Sequence, residues 1–298
     1  MPAARSIFTG PDGVRAGWRL LIFLAIAAVL VAPFVLFAQP RLQRLFGTDF
    51  TAVNLILGDA VSLTLLLIAA AITARIERRS LAIYGLPPSR FLGRQFWTGA
   101  LWGFIMFSSI IGLMALTRVW SPGGLALAPS AALKFASLWA IAFLLSGLVE
   151  EFLFRGYLQF TLTTGIGFWP AALITSALFA AVHGTNKGET WVGLTEIVLI
   201  ALFLCLALRR TGNLWFAIGW HFAFDWAQTF LYSTPNSGLT APGHLLNASL
   251  TGSKWLTGGT AGPEASIFDV IATTAGILLL AKLYPAAQYP APQSPKHG

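Results

Sequence analysis

The chain has 298 residues, of which 56% are hydrophobic and only 10% charged, with a mean hydropathy of +0.72. A soluble globular domain is nearer roughly one-quarter charged, so the composition excludes a soluble enzyme and a disordered chain, and the single Cys205 excludes a disulfide scaffold. The formal charge of +8 comes from basic residues between apolar runs, where they set membrane orientation rather than bind nucleic acid.

Eight apolar stretches approach the ~20 residues that span hydrocarbon: 20–38, 51–74, 95–117, 132–163, 167–185, 191–208, 213–231 and 267–283. The first follows Arg5, Arg15 and Arg19 and is not followed by a small-x-small cleavage site, so it reads as a retained helix. With the N-terminus in the cytoplasm, that side holds 13 Lys and Arg against six (Arg41, Arg44, Arg118, Lys134, Lys187 and Lys254) on the other. Counting Arg155 inside the membrane leaves 12 against six, and the positive-inside rule places both termini in the cytoplasm. The expected fold is therefore all-α: one polytopic domain over 1–284, a bundle of about eight transmembrane helices in lipid, with a motif-bearing core at about 132–231. The outer connection 232–266, rich in Gly, Ser, Thr and Pro, reads as an exposed loop with no core of its own. The Pro-rich tail 285–298 reads as disordered. No internal repeat or nucleic-acid motif is present.

The chemistry lies where the apolar stretches are interrupted. Of 11 acidic residues, six fall inside them: Asp59, Glu150, Glu151, Glu196, Asp225 and Asp269. So do His183 and His221. Ionisable groups in hydrocarbon cost about 2.5–3.5 kcal/mol each on insertion scales, so they face a polar cavity and pair there or act. Asp59, Glu196 and Asp269 read as structural: Asp269 suits a helix start, and Glu196 is placed to pair with a neighbouring helix.

The remaining groups form three patterns on separate helices. In Glu150-Glu151-Phe152-Leu153-Phe154-Arg155-Gly156, Glu151 and Arg155 share a helix face four residues apart and form an ion pair. Glu150 points about 100° away, free to act as a base. Phe179 and His183 share a face at the same spacing, as do His221 and Asp225, where the carboxylate can orient the imidazole. A turn at 164–167 puts Glu150 and His183 at similar depths, roughly 20 and 24 Å from it. His221, about 12 Å into its helix, comes out shallower.

A carboxylate, two histidines and a second carboxylate suit attack of water on an amide. The same charges also suit a proton-coupled transporter. No G-x-S-x-G, H-E-x-x-H or P-loop signature is present.

The three patterns in this order, with Thr211-Gly212-Asn213-Leu214-Trp215 leading into the third, resemble the signature of the CPBP family. These are the type II CAAX prenyl endopeptidases, bacteriocin-processing proteins and related intramembrane proteases. The resemblance implies an intramembrane endopeptidase that cleaves a membrane-associated peptide or protein, prenylated CAAX-type in one branch, in a bacterial cytoplasmic membrane. It implies that Glu150 activates water, that His183 and His221 bind water, metal or oxyanion, and that Glu151, Arg155 and Phe179 support them. The family usually carries Asn where this chain has Asp225. Asn donates an N–H to an oxyanion and ionised Asp does not, so a catalytically inactive adaptor or immunity protein is the further alternative. His183, His221 and Asp225 are ligand types that a divalent metal such as zinc accepts. A metal-free mechanism stands equally.

Overall fold

The computed structural model describes residues 7–10, 13–186 and 188–290. Each apolar stretch forms a helix: α1 Ala16–Phe46, α2 Ala52–Ile76, α3 Arg94–Leu116, α4 Pro129–Ile166, α5 Phe168–His183 and α6 Trp191–Thr211. Helix α7 runs over Trp215–Trp226 and continues through a π-helical turn, Ala227–Leu231, and α8 is Ile267–Leu283. Five of them, α1 to α4 and α6, are long and apolar enough to cross a membrane. Large side chains such as Leu21, Val29, Leu36, Trp97, Leu173 and Leu278 face outward. That inverts the surface of a water-soluble fold and suits lipid. The protein is an integral membrane helical bundle.

Helix α1 outruns its apolar stretch, continuing to Phe46 through a π-helical turn at Phe34–Ala38. That turn lies between Pro33 and Pro40, which cannot donate to the helical ladder. Arg19, counted above with the orientation charges, is instead buried within α1 and paired to Glu77 at 2.7 Å.

Helix α7 is central, and glycines let α3 approach it. A Cβ on Gly99 would stand 2.0 Å from the Phe216 carbonyl oxygen, and one on Gly219 2.0 Å from that of Phe96. Without small residues at these crossings the backbones could not meet. Around them pack Phe107, Ile110, Phe203, Trp220 and Phe224.

Connection 232–266 differs from the expected exposed loop. Ala241, Ala261 and Ala265 are buried, Ser249–Leu250 pairs antiparallel with Trp120–Ser121, and the segment covers one end of the bundle. The glycines that signalled a loop serve compact turns: Gly262, at φ +123°, lies so near Pro235 that an added Cβ would meet the Pro235 carbonyl oxygen at 2.3 Å. The beginning of the tail is also packed. Tyr289 packs against Phe160, with ring centroids 4.1 Å apart, and the Gln288 N–H donates to the Arg209 carbonyl. The expectation of disorder thus fails for 285–290, and 291–298 lie outside the described residues.

Candidate active site

Helix α4 turns back into α5 at Gly167, and α4 continues past Glu150 as expected, through a π-helical turn at Phe152–Leu158. Such turns recur at functional sites, since the wider turn re-aims side chains. Here the turn follows directly on the glutamate pair. Arg155 donates from Nη1 to Oε1 of Glu151 at 3.0 Å, and both side chains are fully buried. The same Oε1 lies 3.0 Å from Nδ1 of His221. Glu151 therefore bridges two helices, a link that the sequence reading did not contain. The Arg155 guanidinium lies over the Phe179 ring, 4.2 Å from its centroid. The His183 imidazole packs against the same ring, with centroids 4.2 Å apart.

His183 Nδ1 lies 2.9 Å from the Phe179 carbonyl oxygen and donates to it, so Nε2 is the ring nitrogen turned toward Glu150. Glu150 is aimed into a cavity. Among the described residues its Oε2 has no hydrogen-bond partner, and it stands 3.8 Å from Nε2 of both His183 and His221. That distance is too long for a direct hydrogen bond, and a water beside the three atoms reaches all of them. Asp225 Oδ2 approaches His221 Nε2 at 3.3 Å. Asp225 thus meets the cavity edge of the ring, while the orienting contact on Nδ1 comes from Glu151. With Nδ1 turned to Glu151, Nε2 faces the carboxylates of Asp225 and Glu150.

His221 reaches this level because α7 starts below the surface. Asn213 is buried and donates to Gln95 at 2.5 Å; the Leu214 N–H donates to Gly85 and the Trp215 indole to Pro87. The 81–90 connection covers the start of α7, so counting residues from Asn213 underestimates the depth of His221.

The cavity, about 350 Å³, has apolar walls from Phe143, Ile197, Leu204, Trp220 and Phe224. Besides the expected residues it is lined by Ser146, Glu189, Glu196, Asn236, Ser237 and Glu264. Ser146 donates to Asp59 Oδ2 at 2.5 Å. It lies four residues before Glu150, a spacing that marks it as a neighbour on one helix face. Asp59 is within electrostatic reach of Glu150 and His221. Asn236, Ser237 and Glu264 come from the 232–266 segment, whose composition gave no such signal beyond the presence of an acid. Glu196 faces Asp269 on α8, so the partner across the helices is another acid rather than a cation.

The metal reading fares differently. His183, His221 and Asp225 are the right ligand types, but among the described residues no three His, Cys, Asp or Glu side chains are grouped as a metal ion requires.

Residues 132–227 match the family model described as "Type II CAAX prenyl endopeptidase Rce1-like", a stretch of about a third of the chain that takes in all three motifs. This bears out the resemblance to the CPBP intramembrane proteases. No curated protein matches the chain.

Proposed function

We propose, taking as premise that residues 132–227 form an Rce1-like domain, that the protein is an endopeptidase hydrolysing a peptide bond of a membrane-associated substrate with glutamate-activated water. The observation that carries this reading is the Glu150 Oε2, without a hydrogen-bond partner among the described residues and equidistant from two imidazole nitrogens in a shared cavity. Water held between Glu150 and the His183 lone pair attacks the carbonyl carbon while Glu150 takes its proton. His221, held as an imidazolium between Glu151 and Asp225, donates Nε2–H to the oxyanion. Glu150 then gives its proton to the leaving nitrogen, the C–N bond breaks, and an acid and an amine leave. In this scheme Asp225 sustains the charge on His221 and need not donate, which accommodates the departure from Asn.

The reading extends to a bacterial cytoplasmic membrane with both termini in the cytoplasm, supported by the excess of basic residues on that side, 11 against six once Arg155 and the buried Arg19 are set aside from the 13. The substrate is a prenylated CAAX-type peptide or a bacterial membrane-associated peptide.

In reconstituted protein, Glu150→Ala and His183→Ala each abolish cleavage of a membrane-inserted peptide while leaving the unfolding transition in place. Activity survives chelation by 1,10-phenanthroline. Full activity in both variants refutes the endopeptidase, and chelator loss restored by zinc refutes the metal-free form.

A further inference from the structure

The catalytic cavity sits off-centre in the bundle. Among the described residues, every inter-helix connection that lines it belongs to one end: Phe50 from α1–α2, Asn186 and Glu189 from α5–α6, and Asn236 and Glu264 from the capping segment. The lining residues Val182 and Leu239 are exposed, so the mouth is apolar and lies at this end too. The opposite connections, 77–93, Gly167 and 212–214, contribute no lining residue. On that side Tyr84, Phe152, Tyr157, Leu208 and Leu214 pack into one buried cluster, which closes the cavity.

Helix α5 measures the depth. At its start the Arg209 guanidinium lies over the Phe168 and Trp169 rings, 5.0 and 5.6 Å from their centroids, and Trp169 is exposed. An exposed tryptophan beside an arginine marks a membrane–water boundary. The helix has 16 residues and ends at His183, roughly 22 Å further on. A hydrocarbon core about 30 Å thick has its midplane at about 15 Å. His183, with Glu150 beside it at 3.8 Å, therefore lies in the far leaflet. Trp191 and Trp255, both exposed and with centroids 5.2 Å apart, mark the far boundary. Charge then orients the two ends. Setting aside Arg19 and Arg155, both buried in ion pairs, 11 Lys and Arg flank the closed end by sequence position and six the capped end. The richer end faces the cytoplasm.

We propose that the catalytic cavity opens to the outer face of the membrane and takes a peptide held in the outer leaflet, its scissile bond presented from outside the cell. The inference rests on the endopeptidase reading and narrows its substrate. A peptide held by a prenyl group in the cytoplasmic leaflet lies beyond the closed end, and its charged C-terminus would have to cross hydrocarbon to reach Glu150. Of the two substrates above, the bacterial membrane-associated peptide is the one that fits.

The test compares spheroplasts, which expose the outer face, with inside-out vesicles, both from bacteria expressing the full chain. A membrane-impermeant maleimide labels Leu239→Cys, at the cavity mouth, in spheroplasts. It labels Ser89→Cys, exposed on the 77–93 connection, in inside-out vesicles. Wild type, whose only cysteine is buried, gives the blank. A pool of N-palmitoylated decapeptides is then added to each preparation of wild type and Glu150→Ala, and products are read by mass spectrometry. Glu150-dependent cleavage is at least about tenfold faster in spheroplasts, because charged peptides cross hydrocarbon slowly. The cleavage arm uses the wild-type chain, so a folding defect in a cysteine variant does not shield the proposal. Reversed labelling overturns it. Cleavage as fast or faster in inside-out vesicles also overturns it and keeps the endopeptidase. Expected labelling without Glu150-dependent cleavage on either side refutes the endopeptidase and the outer-leaflet substrate, and supports only the orientation of the cavity.

Discussion

Two adjacent glutamates make opposite demands on the fold, and substituting each in turn separates them. In Glu151→Ala, Arg155 and the Nδ1 edge of His221 both lose a partner at 3.0 Å in a region closed to solvent. Each charge-assisted bond contributes about 1.5–3 kcal/mol, so about 3–6 kcal/mol is at stake. Breaking a buried pair from one side typically costs about 3–5 kcal/mol. The Arg155 contact with the Phe179 face survives and holds the loss to the lower part of that range. Glu150 differs: its side chain is 31% exposed and its Oε2 is unpartnered. Glu150→Ala therefore changes stability by no more than about 1 kcal/mol while removing activity. Equilibrium unfolding by SDS titration in mixed micelles measures both. A further variant, Glu151→Leu/Arg155→Met, loses less than the sum of its single substitutions, with a coupling of about 0.5–3 kcal/mol. If Glu151→Ala unfolds within about 1 kcal/mol of wild type, the buried bridge is not what holds α4 to α7, and the placement of His221 needs another cause.

Ser146→Ala and Asp59→Asn each weaken the 2.5 Å contact beside Glu150; kcat falls about ten- to 150-fold, for a bond to a charged group worth about 1.5–3 kcal/mol, and the pH–rate profile moves, which a purely structural contact would not cause. Gly219→Ala drives a methyl group against the Phe96 carbonyl, costing about 1–3 kcal/mol or more in the same titration; an unchanged midpoint contradicts the close crossing. Glu264, outside the spanning segments, is pushed up to about 8 from 4.5, chiefly by burial, with Asp225 and Glu189 adding to the rise against hydrogen bonds from Gln228 and Ser237. The folded state therefore keeps a proton that the unfolded chain releases above about 4.5. The contribution of this group to stability is full below that pH and lost as pH rises through about 8, and Glu264→Gln flattens the fall between unfolding midpoints taken at pH 5 and pH 8.

The eight helices were legible because each needs only a local run of apolar residues. The Glu151–Arg155, Phe179–His183 and His221–Asp225 neighbours were legible because four residues complete roughly one helical turn. Contacts across helices were not. His221 meets Glu151 over 70 residues of sequence, and Ser146 meets Asp59 over 87, and no periodicity encodes either. The depth of His221 depends on the 81–90 connection covering Asn213, a tertiary fact. The 232–266 segment misled for a physical reason: glycine and proline mark turns equally in a solvated loop and in a compact cap. Only the packing of Ala241, Ala261 and Ala265 separates the two.

The most direct measurement of glutamate-activated water is single-turnover cleavage of a membrane-inserted peptide in H2¹⁸O by wild type and Glu150→Gln. Wild type places one ¹⁸O in the new carboxylate with no covalent enzyme–peptide species, and the variant is slower by at least about 10²-fold. Cleavage by Glu150→Gln at the wild-type rate, or trapping of an acyl-enzyme, contradicts the account.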